Sequence, residues 1–320
     1  MNTSMNETPN FRSTGGRADR AFRYATITAG GVVLITLGAI AVTMVRRAWP
    51  AFDKMGLDFI TSSRWAPNDG VFGAKAFIAG SLIAAALALV LAVPVSIGIA
   101  LFTTQVVPSR WRRPIIYLVD LLAVVPSVVF GLWGLLVFAP NAGGFYNFLH
   151  DALGPIPVLG NLFGPVSSGR NYFTAGLILA VMITPIITSL AREVIDTTPA
   201  SDREAAYALG ATRWEMIRGA VLPHAKGGIV GAVMLGLGRA MGETIAVALV
   251  IGSSASISAD LFSSGDALPA VIANSWGESE GTYRAALIGL AVTLFAITIV
   301  INVFASAIVN RSITKTQGAR

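Results

Sequence analysis

The chain has 320 residues, 54% of them hydrophobic and only 12% charged, with a mean hydropathy of +0.69. Soluble domains carry about 25% charged residues, so this composition points to a membrane protein. Cysteine is absent, which excludes disulfides and thiolate metal sites, and the formal net charge is +6.

Residues 1–23, rich in Ser, Asn, Gly and Arg, are expected to form a mobile cytoplasmic tail. Six nearly uncharged stretches follow: Tyr24–Val45, Ala76–Phe102, Ile115–Phe138, Asn171–Ala191, Gly227–Ile251 and Ala285–Val309. Each has the length of a spanning helix. The first has some marks of a cleaved signal peptide, because Arg12 to Arg23 precede it and "AIA" sits near its end. An apolar core of 22 residues is long for that role and favours a retained anchor.

Lys and Arg fall unevenly between these stretches. The amino-terminal tail, the loop around Arg110, the segment from Arg192 to Lys226 and the carboxyl-terminal tail hold fifteen; the other three loops hold seven. Positive residues stay in the cytoplasm, so both termini should face inward. Arg46, Arg47, Lys54, Arg64 and Lys75 run against the trend in the first outer loop. Pro94, Pro126 and Pro185 interrupt the second, third and fourth spans, either bending helices around a cavity or adding packing kinks. The outer loop from Pro140 to Arg170 holds six glycines and four prolines, and only "GFYNFLHDAL" offers a turn or two of surface helix.

The most informative soluble segment is residues 197–225. Thr198 before Pro199 reads as an N-cap, and Ser201 with Glu204 has capping-box spacing. Gly210 can end the helix in a left-handed conformation. Thr212 and Glu215 form a second capping box, and Pro223 closes that helix. Two short helices joined by a sharp glycine turn result. They make either a knob for a groove in a partner or an ordinary loop.

The fifth stretch carries Arg239 and Glu243 with no other charge nearby. An ionisable group at mid-membrane costs about 2.5–3.5 kcal/mol on insertion scales, so two need a reason. Four residues apart, they share one face of a helix. One reading is an internal ion pair that only fixes packing. The other is an anion contact: arginine's planar fork matches phosphate oxygens, and Gly236, Gly238 and Gly242 leave room for close approach. Glu243 would neutralise the empty site, or accept the proton that phosphate carries and sulfate lacks. Asp120 is a weaker candidate near the interface.

No metal site is expected, since His150 and His224 lie in separate loops. None of the lysines 54, 75, 226 and 315 sits in a phosphate-binding Gly-x-x-x-x-Gly-Lys-Ser/Thr loop, so any ATP hydrolysis belongs to another subunit. The chain is therefore read as a non-enzymatic subunit without a cofactor.

"EAAYALGATRWEMIRGAVLP" resembles the EAA loop of ABC-importer permeases: Glu204, Ala205, Ala206, Gly210, Leu222 and Pro223 match. Ala220 departs from the usual aliphatic residue. "SSRWAPNDGVFG", "VPVSIGIALF", "LLAVVPSVVFGLWG" and "GLGRAMGETIAVALVIG" extend the resemblance, from about residue 60 to 252, to the PstC-type permeases of phosphate importers. The sister PstA type usually has proline after its Gly-Glu-Thr; here Ile245, Ala246 and Val247 follow.

The resemblance implies an all-α integral membrane protein with six transmembrane helices, the type I ABC-importer permease fold, over residues 24–310. A cytoplasmic tail would follow over 311–320. It implies ATP-driven phosphate import across the bacterial inner membrane by alternating access, with Arg239 and Glu243 contacting substrate. Glu204, Ala205, Ala206 and Gly210 would form the coupling helix that docks on the ATPase. Implied partners are a PstA-type sister permease, an ATPase dimer, a periplasmic phosphate-binding protein, inorganic phosphate and the lipid bilayer, with no nucleic acid. A sulfate or molybdate permease is the nearest rival. A gradient-driven transporter would need acidic or histidine relays, for which only Asp120, Glu243 and Glu193 are available. A purely structural membrane anchor is disfavoured by six spans and a buried charge pair.

Overall fold

The computed structural model describes residues 16–157, 159–166 and 168–317. Much of the expected amino-terminal tail lies outside the described residues, and from Arg17 the chain is helical. The chain divides into two units, up to Arg47 and from Ala48. Helix α1 (Arg17–Met55) makes up the first unit and enters the second. Its hydroxyls at Thr26, Thr36 and Thr43 donate to carbonyls four residues back. Its large apolar side chains, Leu34 and Ile35 among them, are exposed. Such a helix meets lipid with its polar groups satisfied.

In the second unit, α2 (Asp58–Thr61) leads to a two-stranded hairpin, β1 (Trp65–Ala66) and β2 (Val71–Phe72), antiparallel with Trp65 opposite Phe72. Pro67 opens the connecting 3-10 turn, and Gly70 takes φ 65°, a left-handed angle glycine adopts without a Cβ penalty. Trp65 packs edge-on against Phe72, Phe77 and Tyr283. The segment between α1 and α3 is thus folded around an aromatic cluster.

The spans follow. They are α3 (Lys75–Leu101), then α4 (Ser109–Val124) with α5 (Ser127–Trp133), and α9 (Tyr172–Asp196). Between α5 and α9 come α6 (Ala139–Asn141), α7 (Gly143–Leu153) and α8 (Leu159–Leu162). Beyond α9 lie α10 (Ala200–Ala208), α11 (Arg213–Met216), α12 (Leu222–Gly242), α13 (Ile245–Val250), α14 (Leu268–Ser275) and α15 (Gly281–Gln317). Five helices are long and apolar enough to cross a membrane, and a sixth span is the bent pair of α4 with the helix from Ser127 to Asn141. The all-α reading holds. Helix α15 runs on to Gln317, into the segment expected as a carboxyl-terminal tail.

The three prolines behave differently. Pro126 breaks its span: Val125 before it is extended, as the residue before a proline prefers, and the two halves meet at 87°. Pro94 and Pro185 lie inside unbroken helices. At their level the Ser96 hydroxyl of α3 donates to the Thr184 carbonyl of α9 at 3.1 Å, a polar clasp within the core. α9 is the most buried span of the second unit: 67% of its most apolar stretch is buried, against 28% for α3. Gly176 of α9 lets Leu87 of α3 come so close that an added Cβ would sit 2.6 Å from it.

Ion pairs Arg112–Asp196 and Arg192–Asp120 join α4 to the last turns of α9. Asp120 is therefore held in a helix-to-helix contact. The expected turn at "GFYNFLHDAL" is a full eleven-residue helix, α7, because Tyr146 is completely buried among Phe138, Phe173 and Phe262. His150 hydrogen-bonds the Phe163 carbonyl through Nδ1 at 2.6 Å, and His224 is exposed.

Candidate substrate cavity and coupling surface

The fifth apolar stretch is not one continuous helix. α12 ends at Gly242, Glu243 is extended with φ −70° and ψ 124°, and α13 starts at Ile245. Gly238 and Gly242 weaken the helix at this point. Glu243 then stabilises the break: its Oε1 accepts the Ala246 N–H at 3.3 Å, so the carboxylate sits at the positive end of α13. The Thr244 hydroxyl donates to the Gly242 carbonyl left free by the break.

Arg239 and Glu243 nonetheless open onto one cavity of about 730 Å3. They do not pair. The ion pairs among the described residues are Arg64–Asp69, Arg112–Asp196 and Arg192–Asp120. Arg239 is exposed to the cavity, whereas Glu243 is 9% exposed. An exposed guanidinium beside a largely buried carboxylate leaves the arginine's donors free for an anion.

The glycines divide by face. Gly238 and Gly242 line the cavity with open space where a Cβ would project, and Gly231 does the same about two helical turns before Gly238. Gly236, expected with them, instead packs on the core: an added Cβ would lie 2.7 Å from Ile187. Ile186, Met234 and Leu235 supply apolar walls, and Asn302 of α15 brings a third polar group. Sequence reasoning that weighed charges alone passed over Asn302. The available signal was a carboxamide inside the otherwise apolar stretch 285–309.

The loop from 197 to 225 has the expected outline with two changes. α10 carries Glu204, Ala205 and Ala206, and it ends in a Schellman motif: Ala211 N–H bonds the Ala206 carbonyl and Gly210 N–H that of Tyr207, with Gly210 at φ 82°. The Thr212–Glu215 capping box is formed on both sides. The first box is not, since Pro199 is the N-cap and Ser201 turns toward Asp202. Nor does Pro223 end the second helix. A wide turn over 217–221 holds the carbonyl four residues before it, absorbing the missing N–H, and α11 continues into α12.

Ala206 leans on a buried cluster of Met216, Ile217 and Val221, so α10 is anchored along one side. Its other side and the turn leave Tyr207, Leu209 and Trp214 exposed, Leu209 at 89%. A rim of large apolar side chains around a short helix is a docking feature.

Residues 92–314, which include this loop and the cavity, match the family model described as "Binding-protein-dependent transport system inner membrane component". The chain belongs to that family. It is 41% identical to the phosphate transport system permease protein PstC of Xylella fastidiosa (strain Temecula1 / ATCC 700964), over 90% of each chain. It is 40% identical to PstC of Haemophilus influenzae, covering 91% of this chain and 92% of that one. PstC 2 of Mycobacterium tuberculosis is 41% identical over 91% and 92%. Within the family, the chain is a PstC-type permease.

Solved structures agree on the fold of this permease. A bacterial alginate ABC transporter, in complex with an alginate-bound periplasmic protein, superposes with a TM-score of 0.61 at 17% identity. That match covers 92% of this chain and 96% of that chain. An inward-facing MetNI methionine ABC transporter gives 0.51 at 17%, covering 75% and 94%. The permease has the membrane fold of ABC importers.

Proposed function

We propose that the chain is the membrane-spanning subunit of an ATP-driven importer that moves inorganic phosphate into the cytoplasm by alternating access. The single observation that carries the reading is the cavity where Arg239 presents unpaired donors beside Glu243, in a chain about 40% identical to phosphate permeases. Arg239 takes phosphate oxygens with its fork. Glu243, tied at Oε1 to Ala246, keeps its other oxygen for the phosphate hydroxyl. Sulfate has no such hydroxyl near neutral pH.

The exposed α10 surface supports a docking role on an ATPase dimer. ATP binding closes that dimer, carries α10 with it and opens the cavity outward. A PstA-type sister permease completes the pathway, and a periplasmic phosphate-binding protein delivers the anion. With α10 in the cytoplasm, the positive-inside rule puts both termini of an inner-membrane protein there too.

The test is the full complex reconstituted in liposomes with ATP inside. Phosphate, and not sulfate, should drive uptake. Arg239→Lys keeps the charge and loses the fork. A lost hydrogen bond to a charged group is worth about 1.5–3 kcal/mol, so uptake should fall roughly tenfold or more with normal assembly. Wild-type uptake in that variant would return Arg239 to helix packing.

A further inference from the structure

We propose that Asn302 is a third anion-contacting residue of the Arg239 cavity; this rests on the transport reading above. α15 packs inward through Leu287, Leu290, Leu294, Ile297 and Ile301, spaced by three and four along one face. Asn302 lies one residue beyond that stripe, about 100° around a helix of 3.6 residues per turn. It emerges where α15 meets α12, on the wall of the cavity that Arg239 and Glu243 share.

Its side chain is unspent. Thr293 and Thr298 of the same helix return their hydroxyls to the Gly289 and Leu294 carbonyls, both at 2.8 Å. Elsewhere, Asn141 donates to the Val137 carbonyl four residues back at 2.7 Å. Asn302 makes no such bond, and among the described residues its carboxamide has no protein partner. A polar group carried into an apolar span without an internal bond needs water, a substrate or another chain.

Its chemistry complements the two charges. Arginine offers donors only, and an ionised glutamate acceptors only, one of them already taken by Ala246. A carboxamide supplies two N–H donors and one carbonyl acceptor on a neutral group. Protonated phosphate presents bare oxygens and a hydroxyl in tetrahedral array, so Asn302 can donate to a bare oxygen on the side away from Arg239. Being uncharged, it adds contact without a second cation that would hold the anion back from release.

The experiment uses the complete complex in liposomes, with uptake of labelled phosphate expressed per assembled complex between pH 6 and 8. Asn302→Leu should lower uptake at saturating phosphate by roughly five- to tenfold, as expected for losing one neutral hydrogen bond. Asn302→Asp should be weaker still at pH 8 and recover toward pH 6 as the added carboxyl takes a proton, a recovery the leucine variant lacks. Wild-type uptake in Asn302→Leu would overturn the inference. So would loss of the sister subunit with unchanged uptake per complex, which would make Asn302 a helix-pairing residue. If the leucine variant does not assemble, the aspartate pH profile decides, and a profile parallel to wild type overturns it. A wild-type complex that takes up no phosphate would defeat the transport reading itself.

Discussion

At the scale of single residues, Glu243 carries two duties that one substitution can separate. Its Oε1 caps α13 through Ala246, and the residue lines the cavity with Arg239. Glu243→Gln keeps an acceptor for the cap and removes the charge. Assembly should therefore be normal while the ratio of phosphate to sulfate uptake falls, since the repulsive carboxylate is gone and glutamine is a weaker acceptor. An unchanged ratio with wild-type transport would leave Glu243 as a cap alone. Asp266, in the loop between α13 and α14, is a second informative carboxylate. Burial raises its pKa from the ordinary 3.8 to about 6, against the Ala267 N–H that lowers it. Because the folded-state value is the higher one, protonation favours the fold. That stability is fully present below 3.8 and is lost as pH rises through about 6. Asp266→Asn should be at least as stable as wild type at pH 7.5, and its thermal midpoint should change less between pH 7.5 and 5. A midpoint shift equal to that of wild type would remove Asp266 from the pH response.

At the scale of elements, two short interruptions matter more than the long helices. The break at Glu243 points one end of α13 at the cavity, and the turn at Gly210 sets the direction of α10. Gly210 has open space around it and a φ of 82°, so only its backbone angle resists substitution. A β-branched residue in the left-handed region costs about 1–2 kcal/mol. Gly210→Val should unseat the turn while leaving the spans intact. ATPase subunits should then co-purify poorly and hydrolysis should lose its dependence on phosphate. Unchanged co-purification and stimulation would count against the docking role of Tyr207, Leu209 and Trp214.

At the scale of the whole molecule, the absence of cysteine in the sequence makes topology directly measurable. Ala205 on α10 and Asn147 on α7 are both exposed. With a membrane-impermeant maleimide, Ala205→Cys should react only from the cytoplasmic side and Asn147→Cys only from the outside. Labelling of both from one side would overturn the orientation. The span count, the Thr212–Glu215 capping box and the left-handed Gly210 were all legible beforehand, because they depend on local rules: apolar length, N-cap chemistry and a missing Cβ. Arg239 and Glu243 were legible as an anomaly because two ionisable residues interrupt an otherwise uncharged stretch of spanning length. Three-dimensional packing decided the rest. Pro126 breaks its span while Pro94 and Pro185 do not, the latter two lying in helices clasped together at the core. Gly236 faces Ile187 and Gly238 faces open space, a difference set by what α9 places beside each. Asn302 joins Arg239 across 63 residues of sequence only because α15 packs beside α12. Periodicity names the face a residue occupies, but the neighbour that face meets is fixed only when the helices close on one another.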